Sequence, residues 1–344
     1  MWEDARVKST SDRGSLFWVS VRVASLIALL IAAHPVAAFD LQGHRGARGL
    51  APENTLPAFA RALSIGVSTL ELDVGVTRDG VVVVAHDPVL NPALTRGADG
   101  QWLEVRGPAI HALTDAELRR YDVGRAKPGS RVAQRFPEQV PADGTWIPRL
   151  AEVFALAARA GNRSVRFNIE TKLHPERKAE TLPPGPLARA LIAEIRKAGL
   201  AASTTVQSFD WRTLLVVQRE APEIATVYLS ARQRWLDNIG ADSALGSAWT
   251  AGYRFAQYKS VPRMVQAAGG RVWSPYFGDL DAAQLKEAHA LGLKVIVWTV
   301  NDPPHIVAMM DLGVDGIISD YPDRVRTEMK KRELALPPKT PVMP

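Results

Sequence analysis

From residue 39 onward the chain alternates short apolar segments with amphipathic stretches. The apolar segments fall at residues 41–44, 69–74, 165–170, 204–208, 224–229, 271–274, 294–300 and 316–319. In the stretch after the first, Leu56, Phe59, Ala60 and Leu63 recur at i, i+3, i+4 and i+7, the period of a helix with one buried face. Similar patterns predict helices over 150–160, 187–197, 211–220, 282–291 and 304–312. Eight strands alternating with helices predict an α/β fold, a closed (β/α)8 barrel of the TIM type. A doubly wound open sheet is the structural alternative, but no glycine-rich dinucleotide turn follows the first strand. Residues 230–270 are the least clear connection.

Two stretches interrupt this alternation, and the two termini stand outside it. Thr77-Arg78-Asp79-Gly80 leads into Val81-Val82-Val83-Val84, and Asp-Gly between β-rich runs signals a hairpin. With Asp79 and Gly80 as a two-residue loop, Asp73 pairs with His86. Residues 91–148 then form an insertion expected over the active-site mouth, with a capping-box pattern at Thr114–Glu117. At the N-terminus, an apolar run at 23–33 follows Arg6, Lys8, Arg13 and Arg22 and precedes Val36-Ala37-Ala38. This is a secretory signal pattern over 1–38, with cleavage expected after Ala38 and an uncleaved anchor as the alternative. Either way the barrel, 39–334, is expected outside the cytoplasm, periplasmic or extracellular. Residues 335–344 hold four prolines in ten and are expected to be disordered.

Composition narrows the chemistry. There is no cysteine, which excludes a disulfide framework, a thiolate zinc site and a cysteine nucleophile. The formal net charge of +6 is spread through interspersed acids and bases, which argues against nucleic-acid binding. A small anionic substrate is compatible with it.

Glu71 and Asp73 stand two apart on a predicted strand and so share a face, while Leu70, Leu72 and Val74 take the other. Two carboxylates facing a barrel interior call for a compensating cation. Glu170, at the end of the next barrel strand, completes an all-oxygen set that suits one divalent cation, Ca²⁺ or Mg²⁺, over zinc. Lys172 shares the face of Glu170, and a local ion pair is its simplest reading. His44 and His86 sit at predicted strand ends beside the carboxylates and are the acid/base candidates. Arg45 offers a planar fork for phosphate oxygens. Asn54 reads as the cap of the first helix. His34, His111, His174, His289 and His305 read as packed or surface residues.

Taken together, these residues resemble the glycerophosphodiester phosphodiesterase family. The resemblance runs in order through His44-Arg45-Gly46, Pro52-Glu53-Asn54-Thr55, Glu71-Leu72-Asp73-Val74, Thr77-Arg78-Asp79-Gly80 and His86-Asp87. It continues through Glu170-Thr171-Lys172, Gln207-Ser208-Phe209, Trp298-Thr299-Val300-Asn301 and Asp315 to Pro322. It implies a metal on Glu71, Asp73 and Glu170, acid/base catalysis by His44 and His86, and phosphate held by Arg45 and Lys172. It also implies Phe209 and Trp298 at the glycerol end of a small-molecule glycerophosphodiester. A lysophospholipase D-like activity would use the same groups but need an apolar groove. A non-catalytic phosphodiester-binding module is the reading from another class.

Overall fold

The computed structural model describes residues 38–243 and 245–344. The apolar run at 23–33 and its basic flank lie outside the described residues. Among the described residues, no helix is long and apolar enough to cross a membrane.

Eleven strands occur in order among the described residues. They are β1 (Asp40–Gly43), β2 (Thr69–Val76), β3 (Val82–Val84), β4 (Arg166–Thr171), β5 (Thr204–Ser208), β6 (Ala225–Ser230), β7 (Arg232–Gln233), β8 (Leu236–Asp237), β9 (Val272–Pro275), β10 (Lys294–Val297) and β11 (Gly316–Ser319). Eight of them pair in parallel in the order β1-β2-β4-β5-β6-β9-β10-β11, and β11 returns to β1, closing the barrel. These are the eight strands read from the sequence: β5 and β11 have the expected bounds, β1, β4, β6 and β9 are displaced by one residue, and β2 runs two residues further. The expected 294–300 strand is shorter, because Trp298 leaves the ladder to bridge Tyr276.

Alternation sorts each strand into two environments. Leu70, Leu72, Val74, Ile169 and Val206 face outward into a continuous apolar layer with Phe59 and Leu63 of the Leu56–Ile65 helix. Each such large side chain removed from water stabilises the fold by roughly 1.5–3 kcal/mol. The inward positions of β1, β4 and β5 are instead polar. Asn168 Nδ2 donates to Gln42 Oε1 and Gln207 Oε1, both at 2.9 Å, and Asn168 Oδ1 accepts from Thr205 at 2.8 Å. All of these amides are buried, so each hydrogen bond also avoids an unmet polar group.

The hairpin of β2 and β3 differs in register from the expectation. Val74 pairs with Val84 and Val76 with Val82, and Ala85 N donates to Asp73 O at 2.9 Å. Asp73 therefore opposes Ala85, not His86. The loop is three residues long because Thr77 and Val81 close it: Thr77 N donates to Val81 O, and Val81 N to the Thr77 hydroxyl. Gly80, at φ +83°, supplies the left-handed residue that such a loop requires. His86 consequently lies in the bend beyond the ladder.

Residues 91–148 contain a 3-10 turn at Ile110–Ala112 and short helices at Asp115–Leu118 and Arg131–Arg135. The capping box at Thr114 and Glu117 is formed. Leu90, Ile110, Leu118 and Ile147 make a small separate core against Val83 of the hairpin. In the unclear stretch after β6, the β7–β8 hairpin is followed by helices at Phe255–Tyr258 and Val261–Ala267.

The expectation of disorder at 335–344 is corrected. Thr340 N donates to Leu63 O at 2.9 Å, Asn162 to the Thr340 hydroxyl at 3.1 Å, and Arg326 to Pro337 O at 2.7 Å. Proline content excludes regular structure there but not attachment, since carbonyls still accept.

Replacing Asn168 with Ala strands the buried amides of Gln42 and Gln207. The expected loss is about 1–3 kcal/mol in chemical denaturation; an unchanged midpoint would show the polar interior to be dispensable.

Candidate active site

The register of β2 against β4 builds the centre of the site. Asp73 lies directly beside Glu170, and Glu71 is one inward position below. One carboxylate oxygen from each of the three lies within 4.8 Å of the others, and all three residues are buried. Neighbours satisfy most of these oxygens. Gln207 Nε2 donates to Glu71 Oε1 at 2.6 Å and Arg45 N to Glu71 Oε2 at 2.8 Å. Asn54 Nδ2 donates to Asp73 Oδ2 at 2.8 Å and Lys172 Nζ to Glu170 Oε1 at 2.7 Å. Asp73 Oδ1 has no hydrogen bond; its nearest cation is Lys172 Nζ at 3.7 Å. A buried carboxylate oxygen left without a donor, in an all-oxygen trio, fits a hard metal ion. The group could hold one.

The electrostatics point the same way. Burial, then repulsion from Asp73, raises Glu71 well above the usual carboxylate range. Burial pushes Glu170 up to about 7, against the pull of Lys172 and with further repulsion from Asp73. Burial acts upward on Asp73 too, but Arg45, Lys172 and His86 outweigh it and hold that carboxyl low. Three carboxylates thus share too little positive charge to ionise together easily.

The loop after β1 supplies the next layer. Arg45 takes φ +49° and Asn54 φ +56°, uncommon values for residues with a Cβ. Both are held by the site: Arg45 O accepts from Asn54 N at 3.1 Å, while Arg45 N and the Asn54 amide bind the carboxylates. Gly46 is dictated by contact, since a Cβ there would stand 2.6 Å from the Ala58 carbonyl carbon. The Arg45 side chain lies at 2.6 Å from Glu53 and 3.2 Å from Asp73. The helix cap is Thr55, whose hydroxyl accepts from Ala58 N, so Asn54 is not the cap. Its amide serves Asp73 instead.

Each of the two candidate imidazoles is backed by a carboxylate. His44 Nδ1 bonds Asp320 Oδ1 at 2.6 Å, and Asp320 in turn accepts from Asn301 Nδ2 at 2.7 Å. His44 Nε2 is then the free nitrogen, 4.0 Å from Glu71 Oε2. His86 Nδ1 bonds Asp87 Oδ1 at 2.7 Å, and Asn91 fastens Asp87 at 2.6 Å. Burial lowers both imidazoles. His86 falls to about 4, helped by Arg45 and Lys172, although 31% of its side chain meets the cleft.

His44, Arg45, Glu71, His86, Asp87, Glu170, Lys172, Gln207 and Asn301 line one cleft of about 1240 Å³ at the C-terminal end of the barrel, whereas Asp73, Glu53, Asn54 and Asp320 support them from outside its lining. Phe209 and Trp298 form its opposite wall, packed edge to face at 5.2 Å. Asn91, Arg106 and Arg135 of the inserted segment also line it, as do His174 and His305. His111 and His289 lie elsewhere, bonded to Ala179 O and Asp315. Sequence reasoning assigned no role to Asp320, Asn301, Asp87, Glu53 or Gln207. All five fall within the quoted motifs; the partners of Asp320 and Gln207 stand 276 and 136 residues away, while Asp87 is next to His86 and Glu53 is eight residues from Arg45.

With this geometry in place, comparison with known proteins is decisive. Residues 44–324 match the model of the glycerophosphoryl diester phosphodiesterase family. The chain belongs to that family. A Bacillus altitudinis glycerophosphodiester phosphodiesterase is 30% identical, with 83% of this chain and 98% of the relative aligned. A solved structure from Silicibacter pomeroyi DSS-3, described only as a candidate glycerophosphoryl diester phosphodiesterase, superposes with a TM-score of 0.78. It is 37% identical and covers 88% of this chain and 96% of its own. An Oleispira antarctica phosphodiesterase shares the fold at 24% identity and a TM-score of 0.60, covering 85% of this chain and 97% of its own. The protein is thus an enzyme with glycerophosphodiester phosphodiesterase activity.

The raised carboxylates give this phosphodiesterase a testable signature. Glu170 and Glu71 stand above their unfolded value near 4.5. Their contribution to stability is therefore complete below that value; that of Glu170 is lost as pH rises through about 7, and that of Glu71 as pH rises through its own raised value. A cation would take over from the protons. Added Ca²⁺ or Mg²⁺ is expected to raise Tm more at pH 8 than at pH 5; an equal or larger rise at pH 5 would contradict a cation on these carboxylates.

Proposed function

We propose that the enzyme hydrolyses small glycerophosphodiesters, such as glycerophosphocholine and glycerophosphoethanolamine, to glycerol 3-phosphate and an alcohol. In this reading His44 and His86 are the acid/base pair, and one Ca²⁺ or Mg²⁺ sits on Glu71, Asp73 and Glu170. The observation that carries it is the pairing of two carboxylate-backed imidazoles with a buried carboxylate trio in one cleft. The Oleispira antarctica relative was solved in complex with the product sn-glycerol-3-phosphate, which supports the product assignment.

The charge balance explains why a cation belongs here. Three carboxylates face only Lys172 and Arg45, and Arg45 is shared with Glu53. An anionic diester would otherwise approach a net negative site. When bound, the cation supplies the missing charge and polarises a phosphate oxygen. Arg45 and Lys172 hold the phosphate from either side of Asp73. Phe209 and Trp298 flank the glycerol end, where ring faces suit the CH surface of a polyol.

Both imidazoles are lowered by burial and are neutral at neutral pH in the free enzyme. Either can therefore take the proton of the attacking hydroxyl, whether from water or from the neighbouring glycerol hydroxyl. Asp320 or Asp87 would then offset the imidazolium that forms. The other imidazole gives a proton to the leaving alcohol, and the bound diester anion favours its protonated form. The basic N-terminal flank and apolar run support action outside the cytoplasm.

His44→Ala and His86→Ala are each expected to lower kcat on glycerophosphocholine by about 10²–10⁴-fold. Near-normal turnover in either would remove that histidine from the mechanism. EDTA should abolish choline release, and Ca²⁺ or Mg²⁺ should restore it; full activity in EDTA would rule out the cation.

Asp320→Asn keeps the contact to His44 but removes the charge. It is expected to reduce kcat by more than tenfold with little change in KM, and to shift the kcat pH profile. A fall in KM-linked affinity alone would mean that Asp320 merely shapes the pocket.

A further inference from the structure

The negative balance at the carboxylate trio reverses where the inserted segment meets the loop after β1. Arg48, on that loop, and Arg135, in the inserted segment, both line the cleft. Neither takes part in the mechanism above. Arg48 is held in place: its Nε stands 2.6 Å from Glu53 Oε2, and its guanidinium carbon lies 4.6 Å from the ring centre of Phe136. Phe136 is 3% exposed, and Arg135 packs on the same ring at 5.4 Å. The two segments are clipped together here. Gln139 Nε2 donates to Arg48 O at 2.8 Å, and Val140 N donates to Leu50 O at 3.0 Å. The fold thus keeps the two guanidiniums close to one another.

Two guanidiniums beside one ring repel each other, and little on the protein offsets them. Glu53 is the only carboxylate paired with Arg48 among the described residues, and Arg45 takes its other oxygen at 2.6 Å. Although close to Glu53, Arg48 Nε makes no aligned hydrogen bond. Arg135 has no carboxylate partner among the described residues. Glu138 pairs with Arg324 instead, and Asp320 serves His44 and Asn301. Burial lowers Arg48 below the usual arginine range, Arg45 lowers it further, and Glu53 and Asp320 oppose this only in part. Burial acts downward on Arg45 too, but there Glu53, Asp73 and Glu71 outweigh it. The deficit of negative charge therefore lies at Arg48 and Arg135, and an anion from outside would fill it.

We propose that Arg48 and Arg135 form a second anion site, which selects diesters whose head group carries a carboxylate or phosphate of its own. This rests on the phosphodiester reading above, in which Arg45 holds the reacting phosphate and Phe209 and Trp298 take the glycerol end. The head group is then the arm directed away from those rings, toward Arg48. A single carboxylate, Glu53, separates Arg45 from Arg48. Two anions a few bonds apart in one substrate can therefore meet both guanidiniums at once, and a planar guanidinium suits the paired oxygens of either anion. The reaction is unchanged. Water supplies an oxygen to phosphorus, the P–O bond to the head group breaks, and the departing oxygen takes a proton. The second anion leaves on the released alcohol, with no redox change.

The test measures kcat/KM on two pairs of diesters, the members of each pair differing by one anionic group. Glycerophosphoserine against glycerophosphoethanolamine reads a carboxylate, and glycerophosphoinositol phosphate against glycerophosphoinositol reads a phosphate. The member with the added anion is expected to be preferred roughly tenfold in at least one pair. Arg135→Gln should remove that preference while leaving the member without the added anion within about twofold of the unmodified enzyme. Arg135→Glu should reverse the preference. Equal kcat/KM within both pairs overturns the proposal, as does a preference that survives in Arg135→Glu. An equal loss on both members in Arg135→Gln overturns it too, and would leave Arg135 a structural role alone. Turnover confined to the members without the added anion overturns the second anion site alone. Turnover of none of the four overturns the phosphodiester reading and the site with it.

Discussion

The repulsion among Glu71, Asp73 and Glu170 organises much of what surrounds it. Parallel pairing of β2 with β4 brings these carboxylates together, and burial removes the water that would otherwise screen them. Nearly every unusual feature nearby is a response. Arg45 and Asn54 adopt left-handed backbone angles and thereby deliver a main-chain N–H and a side-chain amide to the carboxylates. Gln207 completes Glu71 from β5, and it is itself held by Asn168. The polar interior of the barrel is in this sense the support of the site.

Strand ends and loops divide the cleft by chemistry. Most groups able to carry charge come from the loops of β1, β2 and β4 and from the inserted segment, with Asp302 and His305 after β10 the exceptions, whereas most aromatic rings come from the ends of β5, β9 and β10 and from the β7–β8 hairpin. A phosphodiester has the same polarity, with a charged centre and carbon-rich arms. Residues 91–148 close the charged side without joining the main apolar layer. They rest on a small core of their own against the β3 hairpin, which also carries the chain to His86.

The eight barrel strands and most helices were legible in the sequence, because hydrophobic periodicity is a local signal. So were the inward orientation of Glu71 and Asp73 and the place of Glu170 near the end of the next barrel strand. The hairpin was legible only in outline. Asp79-Gly80 announced a turn, but the closing bonds between Thr77 and Val81 made it three residues long and moved His86 out of register with Asp73. Asn54 looked like a cap because caps and carboxylate donors use the same short amide. Thr55, next to it, took the capping role.

By itself, the sequence determined the barrel, the identity of the charged groups and the strand face on which they lie. Those follow from side-chain period and residue chemistry, which act over a few neighbours. Only the tertiary structure decided that Asp320 orients His44, that the segment at 335–344 is fastened to Leu63, and that Trp235 extends the wall begun by Phe209 and Trp298. These contacts join residues far apart in the chain. Their partners are chosen by barrel closure and loop length, which no local pattern of residues encodes.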